Sequence, residues 1–168
     1  YQFNQWAESA GKSPADIAKF KQLAVQAAQQ EAGQDAGFGM LLDDRTGRAA
    51  LHQITSTNAW IGRPIEASGE FPLQLEAEGE IVQHLSDWPL NQTVKVLCPY
   101  RLDDDSGTRQ HHEQLILKLD RACRFTGHQW LLEIITAREG NSPAFDQVSS
   151  IMQHFYDLGV RPDWWKLE

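Results

Sequence analysis

The sequence predicts an α/β fold: part of a (β/α)8 TIM barrel, with about five parallel strands alternating with helices and the first and last strands of the barrel lacking. Three observations carry this. Short apolar runs alternate strictly with helical patterns along the whole chain. Those runs are apolar throughout, not at every second position, which suits parallel strands covered on both faces. Finally, 168 residues fall short of the ~250 of a complete barrel; the chain opens on Tyr1 with no strand before its first helix and stops inside a strand. A single incomplete barrel domain over residues 1–168 is the economical reading. Pattern alone leaves a doubly wound sheet open.

The elements follow in order. Ser13-Pro14-Ala15-Asp16 offers an N-cap, a proline at the first helical position and an early acid, so the Ala/Gln-rich run to Glu31 is a helix that Gly33 ends. Phe38 to Leu42 is a short strand running into Asp43-Asp44, with a short helix from Thr46 to Thr55 behind it. Trp60 to Glu66 is a second strand, weakened by Gly62 and Pro64; Ile81, Val82 and Leu85 then mark a helix over 78–86. Thr93 to Cys98 is β-branched and strand-like, and a helix from about Thr108 carries Leu115, Leu119, Ala122 and Cys123 on one stripe. Gln129 to Thr136 is a strongly apolar strand. Ser142-Pro143 caps a helix to Leu158, which Gly159 stops before the last strand, 163–168.

Composition narrows the function classes. A net charge of -8 without any basic run opposes nucleic acid and anionic membrane as partners, since both are held by clustered Lys and Arg. No stretch approaches the ~20 apolar residues of a membrane span, and no signal-peptide pattern stands at the start. Cys98 and Cys123 lie apart, with no second cysteine or histidine at metal spacing, so buried free thiols in a cytoplasmic protein are expected.

Three charges stand where core strands should be apolar: Lys95 in Val-Lys-Val, Glu133 in Leu-Glu-Ile and Lys166 in Trp-Lys-Leu. Side chains alternate across a strand, so Lys95 shares a face with Leu97, Glu133 with Leu131 and Ile135, and Lys166 with Trp164. In a barrel that face is the interior. A buried unpaired ion costs several kcal/mol, so the three either neutralise one another or are held for chemistry. As chemistry, Lys166 is a Schiff-base nucleophile, Lys95 the nearby cation that helps keep it neutral, and Glu133 the group that moves protons. As architecture, they are an ion-pair network.

At Gly62-Arg63-Pro64-Ile65-Glu66, at Leu131-Leu132-Glu133-Ile134-Ile135 and above all at Arg161-Pro162-Asp163-Trp164-Trp165-Lys166-Leu167-Glu168, the chain resembles a known family. It is the C-terminal domain of bacterial 5-dehydro-2-deoxygluconokinase-type proteins of myo-inositol catabolism, a domain of unknown function similar in turn to class I tagatose-bisphosphate aldolases. The resemblance runs over essentially the whole chain. It implies a barrel whose sixth-strand lysine matches Lys166, whose fourth-strand lysine matches Lys95 and whose acid/base glutamate matches Glu133. It further implies metal-free, cofactor-free retro-aldol cleavage of 5-dehydro-2-deoxygluconate 6-phosphate to dihydroxyacetone phosphate and malonate semialdehyde. Arg63 and Glu66 are then candidates for substrate binding at the barrel mouth. A sugar-phosphate substrate, a fused N-terminal sugar kinase domain and a homo-oligomer are the expected partners. In that family one strand precedes and two follow the stretch matched here, and barrel phosphate sites commonly lie after strands seven and eight; an inactive chain is expected on that ground.

Two other readings stand beside this one: a non-catalytic barrel serving oligomerisation or regulation beside a kinase, and a barrel isomerase using Glu133 and Lys95. Other features are set aside. Asp103-Asp104-Asp105 lacks the spacing of a calcium loop, and His111-His112-Glu113 is not a zinc-helix motif. Gly37-Phe38-Gly39 precedes a strand where a dinucleotide loop follows one. Trp88, Trp130 and Trp165 are expected to pack between helices and sheet, while Trp164, on the face of Lys166, either desolvates that site or packs in the core.

Overall fold

The computed structural model describes residues 2–33, 37–77, 79–137 and 145–167. The chain divides into two compact units, Tyr1–Pro64 and Ile65–Glu168.

The first unit begins with α1 (Gln2–Ser9) and α2 (Pro14–Ala32), followed by β1 (Gly39–Leu41), α3 (Arg48–Thr55) and β2 (Trp60–Pro64). Helix α2 starts where the sequence places it. The Ser13 hydroxyl and the Asp16 carboxylate satisfy each other's backbone amides in a capping box, and Gly33 ends the helix at φ 55°. The carboxyl of Asp16 is held below its ordinary value by hydrogen bonds from the Ser13 amide and hydroxyl. Strands β1 and β2 pair in parallel, with Met40 opposite Ile61 and Leu41 opposite Gly62. A Cβ on Gly62 would stand 2.4 Å from the Leu41 side chain and 2.7 Å from the Trp60 ring, so the glycine that weakens the strand pattern is what lets those side chains close over the backbone. Val25, Leu42, Ala50, Leu51, Ile54 and Ile61 form the core of this unit.

The second unit holds α4 (Ile81–Ser86), β3 (Gln92–Pro99), α5 (Ser106–Thr126), β4 (Trp130–Ile135), α6 (Val148–Asp157) and β5 (Trp164–Leu167). Strand β4 lies between β3 and β5 and pairs with both in parallel. Within each unit parallel neighbours follow chain order with a helix between them, and among the described residues no reversal of the kind that marks a doubly wound sheet occurs within a unit. Five strands alternating with helices, parallel where paired within a unit, make an α/β fold consistent with part of a (β/α) barrel.

Differences from the sequence reading are local. Helix α1 lies where no helix is expected. The helix expected over 78–86 starts only at Ile81, because Gly79 takes φ 91°, outside helical space. Helix α5 begins at Ser106, two residues before Thr108, because Asp105 caps it by accepting from the Thr108 amide at 2.9 Å. The Ser142-Pro143 cap falls outside the described residues, and a 3-10 turn, Phe145–Gln147, leads into α6.

The core of the second unit lies between the sheet and its helices. Val94, Val96 and Cys98 from β3 and Trp130, Leu132 and Ile134 from β4 meet Ile116, Leu119 and Cys123 from α5 and Ile151 and Phe155 from α6. Burial of an aliphatic side chain of this size stabilises the fold by about 1.5–3 kcal/mol. Trp88 and Trp130 are buried in this cluster and Trp165 packs against it, as expected of packing residues. Both cysteines are buried free thiols; burial, with Asp120 and Asp163 nearby, pushes Cys123 up to about 12. No helix among the described residues is long and apolar enough to cross a membrane.

Two connections fix the ends of this sheet. Asp163 accepts from the Trp130 amide at 2.9 Å while its own amide donates to the Trp130 carbonyl, which starts β5 in register with β4. Between Glu66 and Leu75 the chain folds back on itself through an antiparallel bridge. This hairpin-like segment is held to α5 at Leu73, whose amide donates to His112 Nε2 at 3.0 Å and whose carbonyl lies 2.8 Å from His111 Nε2.

Candidate active site

Register decides what meets on the sheet face turned away from α5 and α6. Lys95 stands opposite Leu131, and Leu131 opposite Trp164; one pleat further on, Leu97 stands opposite Glu133, and Glu133 opposite Lys166. All of these side chains share one face, because opposed residues in a sheet point the same way. The three charges singled out in the sequence are thus gathered on one face of three adjacent strands.

They form a continuous ion chain with a fourth member. Lys166 Nζ donates to Glu133 Oε1, Lys95 Nζ lies 2.8 Å from Glu133 Oε2, and the same ammonium donates to Glu66 Oε1 at 2.6 Å. The order is Lys166, Glu133, Lys95, Glu66, with two cations and two anions. Glu133 is 3% exposed and Lys95 6%, which is core burial, whereas the Lys166 side chain keeps 41% of its surface. The chain therefore runs from a solvent-accessible amine into a dry interior.

The two carboxyls differ in electrostatics. Burial pushes Glu133 up, but hydrogen bonds and charge from Lys166 and Lys95 together outweigh it and hold the acid below its ordinary value. For Glu66 burial is again the largest influence, and with only Lys95 and nearby amides to counter it, the carboxyl is held above its ordinary value. Its Oε2 is buried and has no hydrogen-bond partner.

The structure brings Lys95, Glu133, Lys166 and Glu66 together. Arg63 lies in the other unit, on β2, where it is buried and donates to Asp44 Oδ2 at 2.8 Å; Asp44 also meets Arg48 at 3.5 Å. Trp164 departs from its expected role: it is 49% exposed. It sits on the row of Leu131, one pleat before Lys166. The features set aside also have their places. Asp103 pairs with Arg101, Asp104 accepts from the Arg101 amide, and Asp105 caps α5. A third set, Tyr100, Glu113 and His154, escapes sequence reading. Glu113 accepts from the Tyr100 hydroxyl at 2.6 Å and meets His154 Nε2 at 2.9 Å, and no spacing rule links positions so distant.

An accessible primary amine hydrogen-bonded to a buried carboxylate is equipped to add to a carbonyl and to have protons moved beside it. Sequence comparison adds one finding: the profile of a family described as "Uncharacterized protein conserved in bacteria (DUF2090)" matches residues 1–168. No curated protein matches the chain.

Proposed function

The chain belongs to this bacterial DUF2090 family, and from that premise we propose that it is a class I, Schiff-base aldolase domain that cleaves a ketose phosphate. The observation that carries the proposal is the contact of Lys166 with Glu133 at the accessible end of the ion chain. An amine attacks a ketone only as the free base, so the proton of Lys166 passes to Glu133 as the substrate binds. Addition gives a carbinolamine; loss of its hydroxyl as water leaves the iminium. Glu133, again a carboxylate, then takes the proton from the hydroxyl β to the iminium carbon. The C–C bond between them breaks, its electron pair flows into the iminium to give an enamine, and an aldehyde departs. Protonation of the enamine and hydrolysis return Lys166 and release the second product.

The substrate we propose is 5-dehydro-2-deoxygluconate 6-phosphate, on the resemblance of the Arg161 to Glu168 segment to the inositol-catabolism family. An iminium at its ketone and loss of the proton from its β-hydroxyl yield malonate semialdehyde and the enamine of dihydroxyacetone phosphate. A sugar kinase as fused or associated partner, a homo-oligomeric assembly and a cytoplasmic setting belong to the same proposal. Arg63 belongs to it as a substrate-binding residue.

One observation favours a second reading. The four charges balance, two against two, as a purely structural network would. Against it stand the exposed Lys166 and the unpartnered Glu66 Oε2, which a closed network would cover and satisfy. Borohydride reduction of the protein extended at both ends to a full barrel, in the presence of dihydroxyacetone phosphate and followed by peptide mass mapping, separates the two. A reduced adduct on Lys166 is expected; a folded protein that binds the phosphate and yields no adduct leaves the structural network or a proton-transfer site that forms no imine.

A further inference from the structure

We propose that the first unit carries a binding site for a small organic ammonium ion, in a cleft at the last turns of α2 and α3. The inference uses residues of that unit alone and stands apart from the aldolase reading. The cleft has a volume of about 300 Å³, at the lower end of the ~300–1,000 Å³ of small-molecule sites. It is lined by Gln29 and Gly33 at the end of α2, Phe38 just before β1, and Ser56, Thr57 and Asn58 after α3. It therefore lies where β1 and β2 begin, whereas Asp43, Asp44 and Arg63 stand near where these strands finish.

Three features suit the cleft to a cation. Two helices end at it, and a helix C-terminus carries about half a negative elementary charge on carbonyls that lack an intrahelical partner. The protein offsets little of this. The last turn of α2 holds Glu31 and no basic residue, and His52, in the last turn of α3, is not among the residues that line the cleft. Among the described residues no Lys or Arg lines it either. The second feature is the hydroxyls. Thr57 Oγ1 donates to the Ile54 carbonyl at 2.7 Å and accepts from the Ala59 amide at 3.2 Å, and Ser56 Oγ donates to the Gln53 carbonyl at 3.1 Å. Their hydrogens are spent on the backbone, so what they offer a ligand is lone pairs, and an ammonium has three hydrogens to meet them. The third is Phe38, whose ring attracts a cation by its face and packs against the carbon skeleton that bears it. The side-chain amides of Gln29 and Asn58 supply further polar contacts. No carboxylate lines the cleft among the described residues, and its volume exceeds that of a bare ion, so an organic monocation fits better than calcium or magnesium. An anion meets the same carbonyl ends and is repelled.

The test is an NMR titration of the 15N-labelled protein with n-butylammonium chloride, run beside 1-butanol and sodium butyrate as neutral and anionic counterparts of the same size. The backbone amides of Gly33, Thr57 and Asn58 should shift and saturate with butylammonium and with neither of the others. Asn58 is exposed, so it can be replaced without disturbing the core. Asn58→Asp, which adds a carboxylate at the rim, should tighten binding about threefold, and Asn58→Lys, which brings an ammonium there, should weaken it by about the same factor. Resonances far from the cleft report that each variant is folded, and the three-ligand comparison on wild type needs no variant. Butanol or butyrate shifting the same amides as strongly, or butylammonium giving no saturable shift there, overturns the proposal. So does an affinity that neither Asn58 variant alters.

Discussion

The two faces of β3 and β4 do opposite work: one is buried throughout, while on the other Leu97, Leu131 and Ile135 are only half-buried around two buried charges. On one, Val94, Val96, Trp130 and Leu132 pack against α5 and α6; on the other, Lys95 and Glu133 sit at 6% and 3% exposure, within a few per cent of those apolar side chains. The apolar face stabilises the fold in proportion to the area it hides. The charged face gains little net stability, because desolvating two ions offsets most of their attraction. What it gains is position: each charge is fixed by a strand whose register the opposite face enforces.

That contrast can be broken or sharpened by substitution. Trp130→Ala on the apolar face should show the largest loss, about 4 kcal/mol in urea unfolding, as a large aromatic leaves a cavity. Glu133→Gln should cost about 3 kcal/mol, since two ammoniums lose their shared carboxylate. A Lys95→Met, Glu133→Leu double variant that recovers most of this while losing adduct formation would establish that the charges serve function.

The acid dependence of Glu133→Gln follows from sign. The folded-state carboxyl of Glu133 is lowered, so its stabilising contribution is present above the ordinary carboxyl value and lost as pH falls through the folded value. The stability gap between wild type and Glu133→Gln should therefore narrow in acid. Glu66, raised in the folded state, works the other way: its ionisation subtracts stability as pH rises through its folded value. Smaller effects follow. Asp105→Ala removes the cap of α5 and should cost about 1 kcal/mol, with the rate of adduct formation unchanged. Lys166→Met, at the exposed end, should change stability by only about 0.5 kcal/mol yet abolish the adduct; simple unfolding would mark Lys166 as architecture.

Much of this was legible because strands have period two. A charge inside an apolar strand run announces its face, which is why Lys95, Glu133 and Lys166 can be picked out and why register then brings them together. Glu66 is different. It lies beyond β2 in a fold-back segment, and its approach to Lys95 depends on how that segment bends, which no periodicity encodes. The pairing of Arg63 with Asp44 is hidden for the same reason: both stand near strand ends, and charge alone does not choose a partner. Helix α1 escapes because it is a single short element whose apolar residues, Phe3 and Trp6, remain largely exposed. Helix α2, with both capping signals in its first turn, is placed almost to the residue.

The clasp at Leu73 carries a spectroscopic consequence. One residue's peptide groups present a donor to His112 and an acceptor to His111. An imidazole nitrogen that receives an N–H must be bare, and one that meets a carbonyl must carry hydrogen. When neutral, the adjacent rings on α5 are thereby set in opposite tautomers, hydrogen on Nδ1 in His112 and on Nε2 in His111. Their 15N shifts should form a mirror-image pair, a built-in reporter of whether the segment that carries Glu66 is seated.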